Sequence, residues 1–176
     1  MTWLSFAMMT VVTWGLYGLC LHTGQTAMGG QDALPRMMKA FLFVGAAYFL
    51  IAVVAPIVII LVKGASWQMT GKGVTWSLIA GTVGAVGALG VLLAFGSGGP
   101  PAVVMSIIFA GAPVINAVVA VALHPPEGGL STIRWPFFLG IVLAATGGYL
   151  VTAFKPPPPK AAHAPAATAP PAATGR

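Results

Sequence analysis

The stretch "GTVGAVGALGVLLAFGSGGPPAVVMSIIFAGAPVINAVVAVAL", residues 81–123, contains no Arg, Lys, Asp, Glu or His in 43 positions. A helix on a soluble core keeps a polar face toward water, and this stretch has none. It is too long for one buried helix. Gly98-Gly99-Pro100-Pro101 also breaks it where proline cannot continue a helical ladder. Two membrane-crossing helices joined by a tight turn account for both features.

Working outward, the remaining sequence reads the same way. The chain has 176 residues, of which 58% are hydrophobic and 6% charged, against about 25% charged in an average soluble domain. Further apolar segments cover residues 3–21, 40–62 and 135–154, beside 74–95 and 102–123 within and around the opening stretch. Each can cross a hydrocarbon core of roughly 30 Å at about 1.5 Å rise per residue. Outer-membrane strands would instead be roughly 10-residue alternating segments. The expectation is an all-α, polytopic transmembrane bundle of five helices over residues 1–154, followed by a disordered Pro/Ala-rich tail over 155–176. That tail carries seven prolines and eight alanines in 22 residues.

The formal charge of +6 does not imply nucleic acid, because the basic residues are dispersed. Arg36, Lys39, Lys63, Lys72, Arg134, Lys155 and Lys160 sit beside spans, where positive charge meets lipid headgroups. Five spans place the termini on opposite sides. The basic loop residues then divide three against five, with Lys63, Lys72 and Arg134 facing Arg36, Lys39, Lys155, Lys160 and Arg176, which leaves the orientation open. The first span has no basic residue before it and no small-residue cleavage box after it, so it is expected to remain. Cys20, the only cysteine, cannot form an internal disulfide.

Helices in lipid associate through close backbone approach at small residues. The third span offers Gly81, Gly84, Gly87 and Gly90, with Gly81/Ala85 and Gly84/Ala88 one turn apart, as expected of a central helix. The fourth carries Ser106, Ala110, Pro113, Ala117 and Ala120 in one stripe, and the fifth Gly140, Ala144, Gly148 and Thr152. Pro113 cannot donate to the Phe109 carbonyl, so a kink is expected there, with the polar Asn116 three residues on. Asn116 should face a neighbouring helix or a cavity. Trp14 and Tyr17 share a side of the first span, with Thr10 and Thr13 adding hydroxyls, and suit either a cavity wall or packing. Residues 22–39 read as the one substantial loop of the first half, with turns at Gly29-Gly30 and Pro35.

The inventory for catalysis is thin. His22, His124 and His163 are scattered, and Asp32 and Glu127 are the only acids, so no metal-ligand spacing or nucleophile–base pair emerges. The expectation is a non-enzymatic protein without metal or cofactor. A carrier of this composition, lacking an intramembrane carboxylate, suits a neutral or zwitterionic solute unless Arg36, Lys39, the tyrosines or another chain compensates charge.

Several segments together resemble one repeat of the EamA-like carriers of the drug/metabolite transporter superfamily, over about residues 11–154. They are Trp14-Gly15, "LPRMMKAFLF" at 34–43, the Gly81 to Gly90 run, "GGPPAVVMSIIFAGAPVINAVVAVALHPPEG" at 98–128, and Gly140 with Gly148 in the fifth span. Members usually hold two inverted repeats around a central cavity, and short members assemble it from two chains. The resemblance implies a small-metabolite carrier half in a bacterial plasma (inner) membrane, completed by a second protomer or a sister repeat. It also implies a cavity at Trp14, Tyr17 and Asn116. The family's glutamate-arginine ending is replaced by "LHPPEGG" at 123–129. A non-transporting subunit of a larger membrane complex is the other expectation, with lipid and membrane subunits as partners.

Overall fold

The computed structural model describes residues 2–155, with Leu130 described by its backbone alone. The tail expected over 155–176 lies outside the described residues, apart from Lys155. Five helices are long and apolar enough to cross a membrane: α1 Trp3–Ala27, α2 Ala33–Lys63, α3 Gly71–Gly96, α4 Pro101–Leu123 and α5 Trp135–Ala153. The chain is an all-α membrane-spanning bundle. At about 1.5 Å per residue, the 31 residues of α2 extend roughly 46 Å, more than a roughly 30 Å hydrocarbon core, so α2 tilts or projects.

The helix ends follow from local chemistry. Gly64, at φ +59°, terminates α2 as the left-handed residue of a Schellman turn, with Gly64 N donating to Leu61 O and Ala65 N to Ile60 O, both at 3.1 Å. The same device ends α3 inside the opening stretch. Gly98 has φ +90°, its N–H donates to Phe95 O at 3.0 Å, and Gly99 N donates to Ala94 O at 2.9 Å. Pro101 then occupies the first turn of α4, where its missing N–H costs nothing. The hydroxyl of Thr70 accepts from Gly73 N at 3.2 Å and caps the start of α3.

One sequence expectation changes here. Residues 22–39 are not a loop: α1 continues to Ala27 and α2 begins at Ala33, leaving 28–32 as the connection. "HTGQT" at 22–26 looks like interfacial loop, but Thr23 and Thr26 donate to the carbonyls of Leu19 and His22 at 2.9 and 3.0 Å. Their hydroxyls are thereby satisfied inside the helix. α2 also contains a π-helical turn at Leu50–Val54, two residues before Pro56. Proline there cannot donate to a carbonyl one turn back, and a wider turn accommodates the loss.

Packing is concentrated at one end. Among the described residues the buried side chains are Leu21 and Gln25 of α1, Met37 and Ala40 of α2, Ala88, Val91, Leu92 and Phe95 of α3, and Met105 of α4. These are the C-terminal ends of α1 and α3 and the N-terminal ends of α2 and α4, which antiparallel topology brings together. Leu92 is fully buried at their centre. α3 is thus the central helix over its last turns, whereas Gly81, Gly84, Gly87 and Gly90 have open space where a Cβ would stand. The close approaches occur elsewhere: Gly18 lies under Met105, Gly96 under Met37, and Gly148 against Ala110. α5 touches only α4 among the described helices. Of its expected stripe, Gly148 makes the contact, while Gly140 has nothing near it and Ala144 is exposed.

Candidate functional site

α1 and α2 line a groove of about 650 Å³ that starts beside the packed end and runs away from it. The α1 wall is Thr13, Trp14, Tyr17, Cys20, Leu21 and Gly24, with Met28 just past the helix end. These positions recur every three or four residues and so form one face of the helix. The facing wall is Ala40, Phe43, Val44, Ala47, Tyr48 and Ile51, again at helical spacing. Alanines and a glycine keep the two backbones from being filled across, and the large rings line what remains. The last residue, Ile51, lies in the π turn, so the widened backbone forms one end of the α2 wall.

Trp14 and Tyr17, one turn apart, bring their ring centroids to 5.6 Å with planes tilted by 43°. Trp14 is 37% exposed along the groove, and the Tyr17 hydroxyl is buried without a hydrogen-bond partner. A hydroxyl held dry and unpaired costs free energy, roughly 1–3 kcal/mol on mutational scales, and because this one has almost no accessible surface, the part of Tyr17 that meets the groove is its ring. The Thr13 hydroxyl donates to Met9 O at 2.9 Å. Thr10 likewise donates to Phe6 O at 3.1 Å and does not line the groove. No wall residue is an acid or a Lys or Arg.

The structure brings Trp14 and Tyr17 together as the sequence suggests, but not Asn116. Asn116 lies exposed on α4 and is absent from the groove wall, because α4 meets α1 through Met105, about three turns earlier along the helix. Pro113 is likewise exposed, within an α4 that runs unbroken from Pro101 to Leu123.

Phe43 and Tyr48 were not singled out by sequence, although Ala40, Phe43, Ala47 and Tyr48 repeat at the same helical steps as the α1 wall. A second polar feature was also hidden by reading 22–39 as loop. His22 packs edge-on against Phe95, with centroids at 5.4 Å and planes at 82°. Its Nδ1 and the Oε1 of Gln25, a residue only 7% exposed, are buried without partners. Among the described residues no three His, Cys, Asp or Glu side chains converge as a metal site would require.

Comparison with family models, with curated proteins and with solved structures gave no match. The sequence and the architecture together identify the chain as a membrane protein built as a largely apolar five-helix bundle.

Proposed function

We propose that the chain is a non-enzymatic carrier half of the EamA-like kind, in a bacterial inner membrane, moving a small uncharged solute. A second copy or a sister repeat would close its groove. The observation that carries this reading is the 650 Å³ intramembrane groove, whose wall holds Trp14, Tyr17 and Tyr48. Binding cavities of carriers lie at membrane depth between helices, and a volume of about 300–1,000 Å³ is ordinary for a small-molecule site. One repeat supplies only half of an alternating-access pathway, which is why a partner is part of the proposal.

The test is reconstitution of the purified assembly into liposomes and uptake of a panel of neutral and zwitterionic solutes. Uptake that falls at least tenfold in Trp14→Ala supports a carrier. No uptake across the panel by a folded assembly would end that reading. The second reading, a non-transporting subunit, is favoured by a different observation. Gly81, Gly84, Gly87 and Gly90 stand open over about two and a half turns of α3, so a foreign helix has room to approach there. Purification in mild detergent separates the two: a second copy or sister repeat supports the carrier, and a large assembly with unrelated subunits supports the subunit.

A further inference from the structure

We infer that α2 is hinged at its π turn, so that its outer part, Ala55–Lys63, swings relative to the packed part and sets the width of the α1/α2 groove at its far end. The hinge belongs to the fold and holds whether or not the chain is a carrier.

The helical ladder of α2 is weakest where the groove ends. Ala55 N donates to Leu50 O, the wide bond of the π turn. The Ile51 carbonyl has thereby lost the donor four residues on, and the donor five residues on would belong to Pro56, which has no N–H. The proline ring also crowds the carbonyl of Ala52, one turn back. Bending therefore costs less here than at a complete turn. Proline and π turns are the usual seats of sharp helix kinks, and α2 carries both between Leu50 and Pro56. The surroundings leave that freedom intact. The backbone from Leu50 to Lys63 approaches no other helix among the described residues, and every residue from Gly45 to Lys63 except Ile60 is exposed. The first part of α2 is held, with Met37 and Ala40 buried in the packed end. α1 and α2 run antiparallel, so Thr13 and Ile51 line the far end of the groove together, and Leu4 stands beyond them on the side of the outer part of α2. Val62 lies about 13 Å past Val53, so a change of direction of about 20° carries it about 4–5 Å.

The test is double electron–electron resonance between spin labels on the full chain, in a Cys20→Ala background, diluted with unlabelled protein in phosphatidylcholine nanodiscs. Leu4→Cys with Val62→Cys spans the open end of the groove, and Ile107→Cys with Leu42→Cys lies beside the packed end. Ile107→Cys with Leu4→Cys reports any movement of α1, whose residues 2–16 are as exposed as the outer part of α2 but contain neither proline nor π turn. All four labelled positions are exposed. The Leu4/Val62 distances are expected to spread at least about twice as widely as those of either other pair. Pro56→Ala returns the missing N–H, and should bring the Leu4/Val62 spread to within about 1.3-fold of the Ile107/Leu42 spread. Pro56 is exposed and lies outside the packed end, so the Ile107/Leu42 distance should not change in this variant, which checks that the bundle is intact. A Leu4/Val62 spread no wider than that of Ile107/Leu42 overturns the hinge. So does an Ile107/Leu4 spread equal to that of Leu4/Val62, since lipid-facing helix ends would then move without a π turn. An undiminished Leu4/Val62 spread in Pro56→Ala, with Ile107/Leu42 unchanged, also overturns it. The comparison of the three pairs in the parent chain decides the matter even where Pro56→Ala disturbs the bundle.

Discussion

The contact between Gly148 and Ala110 is the most demanding in the bundle, because nothing at it can rotate away. A Cβ added at Gly148 would overlap the Cβ of Ala110, and both atoms sit directly on helix backbone. One of the helices must move, and overpacking of this kind costs about 1–3 kcal/mol. α5 has no other partner among the described helices, so the cost falls on a single interface. Gly148→Ala should therefore raise the population in which α5 stands away from α4 by about 5- to 150-fold, at about 1.4 kcal/mol per tenfold. Removing the obstruction provides the internal check. In Gly148→Ala with Ala110→Gly, the new Cβ would next meet Ser106 O at 3.4 Å and Ala110 Cα at 3.8 Å, ordinary contact distances. The double variant should recover to within about threefold of the parent. The assay is the alkylation rate of a thiol introduced by Ser106→Cys, beside the contact, in a Cys20→Ala background. Gly140→Ala, at a position with open space around it, should match the parent. Equal acceleration by Gly140→Ala, or none by Gly148→Ala, would refute the contact as the determinant of α5 docking.

Gly18→Ala should be mild despite an equally close neighbour, costing about 1 kcal/mol or less, because the obstructing atoms are Met105 Cγ and Sδ at 2.5 and 2.6 Å and that side chain is flexible. A chemical-denaturation midpoint shifted as far as by Gly148→Ala would contradict this. Leu92→Ala empties the fully buried centre of the packed end. In a membrane the displaced leucine would otherwise contact lipid, so the expected loss is about 1–2 kcal/mol, below the 2–5 of a soluble core. Unfolding titrated with SDS in mixed micelles measures it. Tags before α1 and after α5 should be accessible from opposite sides of sealed vesicles, as five crossings require, and labelling of both from one side would remove a span from the fold.

What the sequence makes legible is what depends on neighbours in the chain. Hydropathy locates five spans, and Gly98 with Pro101 marks the α3–α4 turn, because left-handed backbone and a missing N–H are local requirements. Half of the groove is legible for the same reason: Trp14 and Tyr17 share a helix face wherever α1 packs. The other half depends on which face α2 turns toward α1, and α2's run of apolar residues does not mark one. Glycine runs mislead similarly. Gly81 to Gly90 could mediate close packing, yet the approaches are made at Gly18, Gly96 and Gly148, where Met105, Met37 and Ala110 arrive from distant parts of the chain. Asn116 is polar and intramembrane, which signals a role, but its place depends on α4's contacts lying near Met105. His22 and Gln25 were obscured by a local signal that was too strong, since a polar run resembles a loop until its threonines bond back to the helix.

The gathering of the buried side chains at one end has a consequence for the surrounding lipid. One leaflet meets helices that already touch one another, so its acyl chains line a continuous protein surface. The opposite leaflet meets the start of α1, the latter part of α2, the start of α3 and the end of α4, where large apolar side chains such as Ile51, Val62, Trp76 and Ile115 stand exposed. There the acyl chains, or whatever replaces them, are solvent for nearly every side chain. Acyl length and saturation in that leaflet should therefore influence the spacing of the helices far more than the same change in the other, making bilayer asymmetry itself a variable of the fold.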